Sequence, residues 1–207
     1  TRRRMLICRD RLGVKPLYIA RDARRVAFAS EAKALLTLPG MSVSVDPHAL
    51  DSYLQLGYVP APQSMFAGIA KLPPATLLVV AEGKVDERRY WRLPHAIDRD
   101  RSEAQWTEAI CARLETSTRM QMVSDVPIGA FLSGGVDSSA VVAFMSRHSS
   151  QPVKTYSIGF EGGRADAFYN ELPYARQVAT QFGSDHHEIV VRPDVVSLLP
   201  RLLWHMD

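Results

Sequence analysis

The sequence predicts an α/β protein in two parts, and three observations carry that prediction. The first ninety residues alternate short apolar runs with polar turns, as antiparallel strands do. After residue 101, apolar runs alternate with helical patterns in the order strand, helix, strand, helix, strand, which is the order of a parallel sheet. Between them, Trp91 to Arg101 is polar, contains Pro94 and lacks any period, so it reads as a linker. The expected organisation is a first domain over 1–90, a linker over 91–101 and a second domain over 102–207.

In the first part, Met5 to Tyr18 reads as a β-hairpin turning around Arg11-Leu12-Gly13, and Val26 to Ala29 as a further strand. Ser30 is placed to cap a helix over Glu31 to Leu36 that Pro39-Gly40 ends. Asp46 followed by Pro47 starts a second helix, which stops near Gly57. Pro60, Pro62, Pro73 and Pro74 make Tyr58 to Pro74 an ordered loop, because proline removes backbone donors and fixes φ. Leu77 to Ala81, the turn Glu82-Gly83-Lys84 and Val85 to Tyr90 form a hairpin.

In the second part, Ser102 and Gln105 form a capping-box pattern. Trp106, Ile110 and Leu114 then recur at helical spacing towards Met122. Strand-like segments follow at Pro127 to Leu132, Val153 to Phe160 and His187 to Val191. Helices are expected at Ser138 to Arg147 and Glu171 to Phe182.

Composition narrows the class. Among 207 residues, 46% are hydrophobic, enough for a globular core. A net charge of +3, from 25 Lys+Arg against 22 Asp+Glu, gives little field for gripping a nucleic acid. The arginines at 2, 3, 4, 9 and 11 have no interleaved aromatic residues and read as a solvated strand end. Cys8 and Cys111 lie in apolar patterns with neither metal-site nor disulfide spacing, so both thiols are expected to be buried and the compartment reducing. No apolar run is long enough to span a bilayer, and no secretory core follows the basic N-terminus, so a soluble cytoplasmic protein is expected.

One segment carries chemistry. A phosphate-binding loop needs backbone N–H groups converging on a concavity that no side chain blocks, and glycine immediately before a helix meets both needs. Ser133-Gly134-Gly135 sits between a buried apolar run and the helix that opens at Ser138-Ser139. The hydroxyls of Ser133, Ser138 and Ser139 can donate to phosphate oxygens. Asp137 would repel a polyphosphate unless Mg2+ lay between them, which makes it the candidate metal ligand. A Walker loop is excluded, since it needs a lysine on the terminal phosphates and none occurs between Lys84 and Lys154.

Ser133 to Ser139 resembles the signature of the ATP-pyrophosphatases, which cleave ATP between its α and β phosphates. The flanking run Met122 to Leu132 is similar to the asparagine synthetase branch of that group. Arg9-Asp10-Arg11-Leu12-Gly13-Val14-Lys15-Pro16-Leu17-Tyr18 and Phe28 to Leu36 resemble the late part of that family's glutaminase domain. Tyr156 to Phe160 and Phe182 to Glu188 resemble its second and third synthetase strands. The resemblance covers nearly the whole chain in the family's order. It implies the C-terminal part of an N-terminal-nucleophile αββα glutaminase domain, followed by the first half of a parallel-sheet ATP-pyrophosphatase domain of the adenine nucleotide α-hydrolase kind.

The resemblance further implies a glutamine-dependent asparagine synthetase that uses ATP and Mg2+, with aspartate, glutamine and ATP as small-molecule partners, no nucleic acid, no membrane, and a homodimeric assembly. Leu132 and Ile158 would contact adenine, alongside Ser133, Gly134, Gly135, Asp137, Ser138 and Ser139 on the phosphates, with Asp137 on the metal. No catalytic residue is expected in this fragment, because the family's glutaminase nucleophile is an N-terminal cysteine and neither Cys8 nor Cys111 matches it. Thr1 is expected to be a truncation point. The alternatives are a related amidotransferase acting on another carboxylate, such as a β-lactam-forming synthetase, and a non-catalytic nucleotide-binding module. His186-His187 is read as structural, since neighbours on a strand face opposite ways and no third ligand has suitable spacing.

Overall fold

A computed structural model describes residues 3–160, 170–191 and 195–206. Thr1 lies outside these, so the expectation for it has no structural counterpart. Contacts divide the chain into one unit of residues 1–96 with 201–207 and another of residues 97–200. Among the described residues, no helix is long and apolar enough to cross a membrane.

The first unit contains β1 (Arg4–Cys8), β2 (Tyr18–Arg21), β3 (Val26–Ala29), α1 (Ala32–Leu36), α2 (Pro47–Leu56), β4 (Ile69–Lys71), β5 (Thr76–Ala81) and β6 (Lys84–Arg89). They form two antiparallel three-stranded sheets, ordered β1-β5-β6 and β3-β2-β4. The expected hairpin of β1 with β2 does not form: Leu6 pairs with Val79 of β5, and Ile19 pairs with Phe28 and Ala70. The reason lies in residues 9–15, where side chains satisfy the backbone groups a hairpin would need. Arg9 donates from Nε to the Lys15 carbonyl and from Nη2 to the Gly13 carbonyl, both at 3.0 Å. The Asp10 carboxylate accepts from the N–H groups of Val14 at 3.0 Å and Leu12 at 3.2 Å. The Val14 bond foremost holds the Asp10 pKa below the ordinary carboxylate range. Ile7, Ile19, Leu72 and Leu78 pack together, joining residues of both sheets.

Other local expectations divide. Asp46 caps α2 by accepting from His48 at 2.8 Å and Ala49 at 3.2 Å, with Pro47 in the first turn and Gly57 left-handed at its end. Ser30 does not cap α1, whose N-cap is Glu31 without a side-chain cap bond; Ala34 N–H closes on the Glu31 carbonyl at 3.3 Å instead. The loop over 58–74 contains β4, because Ile69 to Lys71 is proline-free and adds to the edge of β2. Cys8 and Cys111 are both exposed rather than buried. On β1, Ile7 takes the core position at 5% exposure, so strand alternation turns Cys8 outward.

The second unit holds α3 (Glu103–Gln121), β7 (Gly129–Phe131), α4 (Val136–His148), β8 (Lys154–Phe160), α5 (Leu172–Phe182) and β9 (Asp185–Val191). α6 (Val195–Met206) follows, its last residues grouping with the first unit. The capping box forms as expected: Ser102 Oγ accepts from Gln105 N–H at 3.3 Å, and Gln105 Oε1 accepts from Ser102 N–H at 2.8 Å. β7, β8 and β9 are parallel in that order. α4 and α5 pack together through Val142, Ala175 and Ala179, with Leu132 beneath them. α4 starts two residues before the expected Ser138, which places the glycine pair directly at its N-terminus.

Candidate functional site

The candidate loop occupies the turn from β7 into α4, at the carboxyl end of the parallel sheet. Leu132, 2% exposed, extends the pairing by donating its N–H to the Tyr156 carbonyl at 2.9 Å and accepting from Ser157 Oγ. The backbone then turns through Gly134 at φ +83. A Cβ there would lie 2.5 Å from the Tyr174 carbonyl carbon, so close packing against α5 alone requires glycine at 134.

Gly135 differs. It is the N-cap of α4 with φ −71 and ψ 165, a conformation open to any residue, and a Cβ would meet only Ser133 Oγ at 3.4 Å. Neither the backbone nor the packing demands glycine at this position. Its effect is to leave the approach to the helix N-terminus unobstructed.

Four polar features lie at that helix end. Ser133 Oγ lies 3.0 Å from Ser138 Oγ and accepts from Gly135 N–H at 3.3 Å. α4 has no side-chain cap, and Ser139 N–H is the first to bond back, to the Gly135 carbonyl at 3.0 Å. The N–H groups of Val136, Asp137 and Ser138 therefore have no intrahelical partner and carry the positive end of the helix dipole. Ser139 Oγ is buried without a hydrogen-bond partner among the described residues. Leaving such a group unsatisfied costs about 1–3 kcal/mol, which fits a site completed by an added acceptor. Asp137 is exposed in the first turn of α4.

Beside the loop opens a cavity of about 290 Å³. Leu132, Ser133, Ser138 and Ile158 line it, while Gly134, Gly135, Asp137 and Ser139 do not. Phe131, Tyr156, Ser157, Glu171 and Leu172 are the other described residues that line it, and sequence reasoning had not placed these five at the site. The signal for Glu171 was present: it stands where α5 begins, after β8, on the same sheet edge as the loop. A larger cavity of about 490 Å³ lies in the first unit beside Ile19, Leu72 and Leu78. It includes Lys71, whose Nζ donates to the Val59 carbonyl at 2.6 Å and whose pKa burial pushes below the ordinary lysine value, but among the described residues no cysteine, serine or threonine lines it.

The two histidines do face opposite ways. His186 is nearly enclosed, with Nδ1 2.8 Å from Thr155 Oγ1 and Nε2 3.4 Å from the Glu188 carboxylate. His187 stacks on Tyr156 with ring centroids 5.3 Å apart and lies 3.1 Å from Asp185. Arg176 of α5 grips Glu188 of β9 with two bonds of 2.7 Å, and this foremost holds the Glu188 pKa below the ordinary value. The cluster ties helix to sheet.

Residues 1–91 match the glutamine amidotransferase domain family and residues 109–207 match the asparagine synthase family. The chain therefore joins a glutamine amidotransferase part to an asparagine synthase part. It belongs to the glutamine-hydrolysing asparagine synthetase family. The provisionally named asparagine synthetase 2 of Methanocaldococcus jannaschii is 33% identical over 213 residues, covering 98% of this chain and 40% of that protein. A provisionally named asparagine synthetase of Mycobacterium bovis is 35% identical over 214 residues, covering 99% of this chain and 32% of that protein. Asparagine synthetase 1 of Bacillus subtilis is 31% identical over 204 residues, covering 96% of this chain and 31% of that protein. The chain thus spans between 31% and 40% of the length of these relatives.

Proposed function

We propose that the intact protein is a cytoplasmic, glutamine-hydrolysing asparagine synthetase, and that residues 132–139 with Ile158 form its ATP site. The observation that carries this reading is Gly135, a glycine that neither backbone conformation nor packing demands, at the uncapped N-terminus of α4. An anion is the ligand that such a helix end attracts, and the absent side chain lets it come close. The hydroxyls of Ser133 and Ser138 and the N–H groups of Val136 to Ser138 would donate to the β and γ phosphates. Ser139 Oγ would gain the acceptor it lacks. The adenine would rest on Leu132 and Ile158, both of which line the cavity beside the loop.

In the reaction, an aspartate side-chain oxygen attacks the α-phosphorus and the bond to the β-phosphate oxygen breaks, so pyrophosphate leaves. Ammonia released from glutamine then adds at the acyl carbon, the added nitrogen gives up a proton to solvent, and AMP departs with the bonding electron pair. Donors fixed on the β and γ phosphates stabilise the charge that grows on the leaving group, and they need no reorganisation to do so. Mg2+ would be held by Asp137, where it would neutralise phosphate charge that the carboxylate otherwise repels.

The test uses the full-length protein and aspartate-dependent exchange of labelled pyrophosphate into ATP. Gly135→Val places a branched side chain in the phosphate approach, at a helix N-cap cost of about 1 kcal/mol. Expected is a folded variant whose ATP affinity drops more than about tenfold, a loss of about 1.4 kcal/mol or more. Unchanged ATP binding in that variant rejects the site. Exchange that needs a carboxylic acid other than aspartate rejects the substrate.

A further inference from the structure

Among the described residues, the cavity beside the loop contains one charge that the phosphate chemistry cannot use. Glu171 lines it, yet a carboxylate placed against phosphate oxygens would be repulsive. Its exposed side chain makes no cap bond to α5. Asn170 takes part of that role, accepting from the Leu172 N–H at 3.2 Å. Among the described residues no ion pair engages Glu171. It is therefore available to a ligand.

The cavity sorts its lining by chemistry. Ser133 and Ser138 form the anion-binding side, while Leu132, Ile158 and Leu172 form an apolar wall suited to a flat ring. A nucleotide bound across both presents, between its phosphates and its base, a vicinal diol with two O–H donors. A carboxylate is an acceptor with two oxygens and matches that pair. In dinucleotide folds an acid downstream of the glycine-rich loop likewise accepts from the ribose 2′-hydroxyl.

We infer that Glu171 recognises the ribose of the bound nucleotide by accepting from its 2′- and 3′-hydroxyls. Glu171 is thus a specificity residue for ribonucleotides over deoxyribonucleotides. The inference rests on the ATP site proposed above. Its effect is separable from that site, since pyrophosphate has no sugar and its binding is indifferent to Glu171.

The experiment measures dissociation constants of ATP, 2′-deoxyATP, 3′-deoxyATP and pyrophosphate for the full-length protein and for Glu171→Ala and Glu171→Gln. A hydrogen bond to a charged group supports a preference for ATP over each deoxynucleotide of about tenfold or more in the unsubstituted protein. Glu171→Ala should reduce that preference to near one and leave pyrophosphate binding and the unfolding midpoint unchanged. Glu171→Gln, which keeps one acceptor oxygen, should fall between them. The inference is overturned if the unsubstituted protein shows no preference or if Glu171→Ala retains it. Failure of the unsubstituted protein to bind ATP would overturn the nucleotide site itself, and this inference with it.

Discussion

The adjacent glycines of the loop do different work, and only their surroundings separate them. Gly134 is held by the fold: it is left-handed, and any Cβ would strike the backbone of α5. A non-glycine residue in that region costs about 1–3 kcal/mol before the steric conflict is counted. Gly134→Ala is therefore expected to lower stability by more than about 2 kcal/mol in urea unfolding, whether or not ATP is present. A Gly134→Ala protein as stable as its parent would show that α5 does not pack against the loop as described. Gly135 belongs to the ligand, so its substitution should be read in binding rather than in stability. Asp137, exposed two residues further on in the first turn of α4, has a role only if a cation accompanies the phosphates.

At the scale of elements, the bonds that position the site run between α5 and the sheet. Arg176 and Glu188 join α5 to β9, while α4 and α5 meet over Leu132. The pKa of Glu188 is lower folded than unfolded, with the Arg176 hydrogen bond as the largest cause. A depressed carboxyl pKa contributes stability that is present above the unfolded value and lost as pH falls through the folded one. Arg176→Ala should therefore lower the urea midpoint at neutral pH, and its difference from the parent should close as the pH drops below the carboxylate range. A difference that persists undiminished in acid would assign the effect to lost packing by the arginine stem.

Across the whole molecule, the two compact units meet in sequence at an irregular stretch. No residue from Tyr90 to Arg101 lies in a helix or strand, and Arg92, Arg99 and Arg101 are exposed there. Exposed irregular backbone is cut before ordered elements, because a protease must thread several extended residues into its cleft. Brief digestion with trypsin is expected to cut first at Arg92 or Arg99, leaving two fragments that resist further cleavage. A first cut within α4 or β5, identified by mass spectrometry of the early products, would contradict a division at this stretch.

Local chemistry made part of this protein legible from its sequence alone. The caps at Asp46 and Ser102, the hairpin of β5 with β6, and the strand-loop-helix order around Ser133 all follow from residues within a few positions of one another. The glycine-serine loop and its family resemblance were equally readable, because a phosphate site on a helix N-terminus is built from a contiguous segment. Tertiary structure decided what depends on partners distant in the chain. It gave β1 to β5 rather than β2, turned Cys8 and Cys111 outward, assigned Gly134 to packing, and brought Glu171 to the cavity that Ser133 and Ser138 line. The physical reason is common to all four. Alternation and periodicity state which residues can share a face, but burial and close approach are settled only when distant segments compete for the same neighbours.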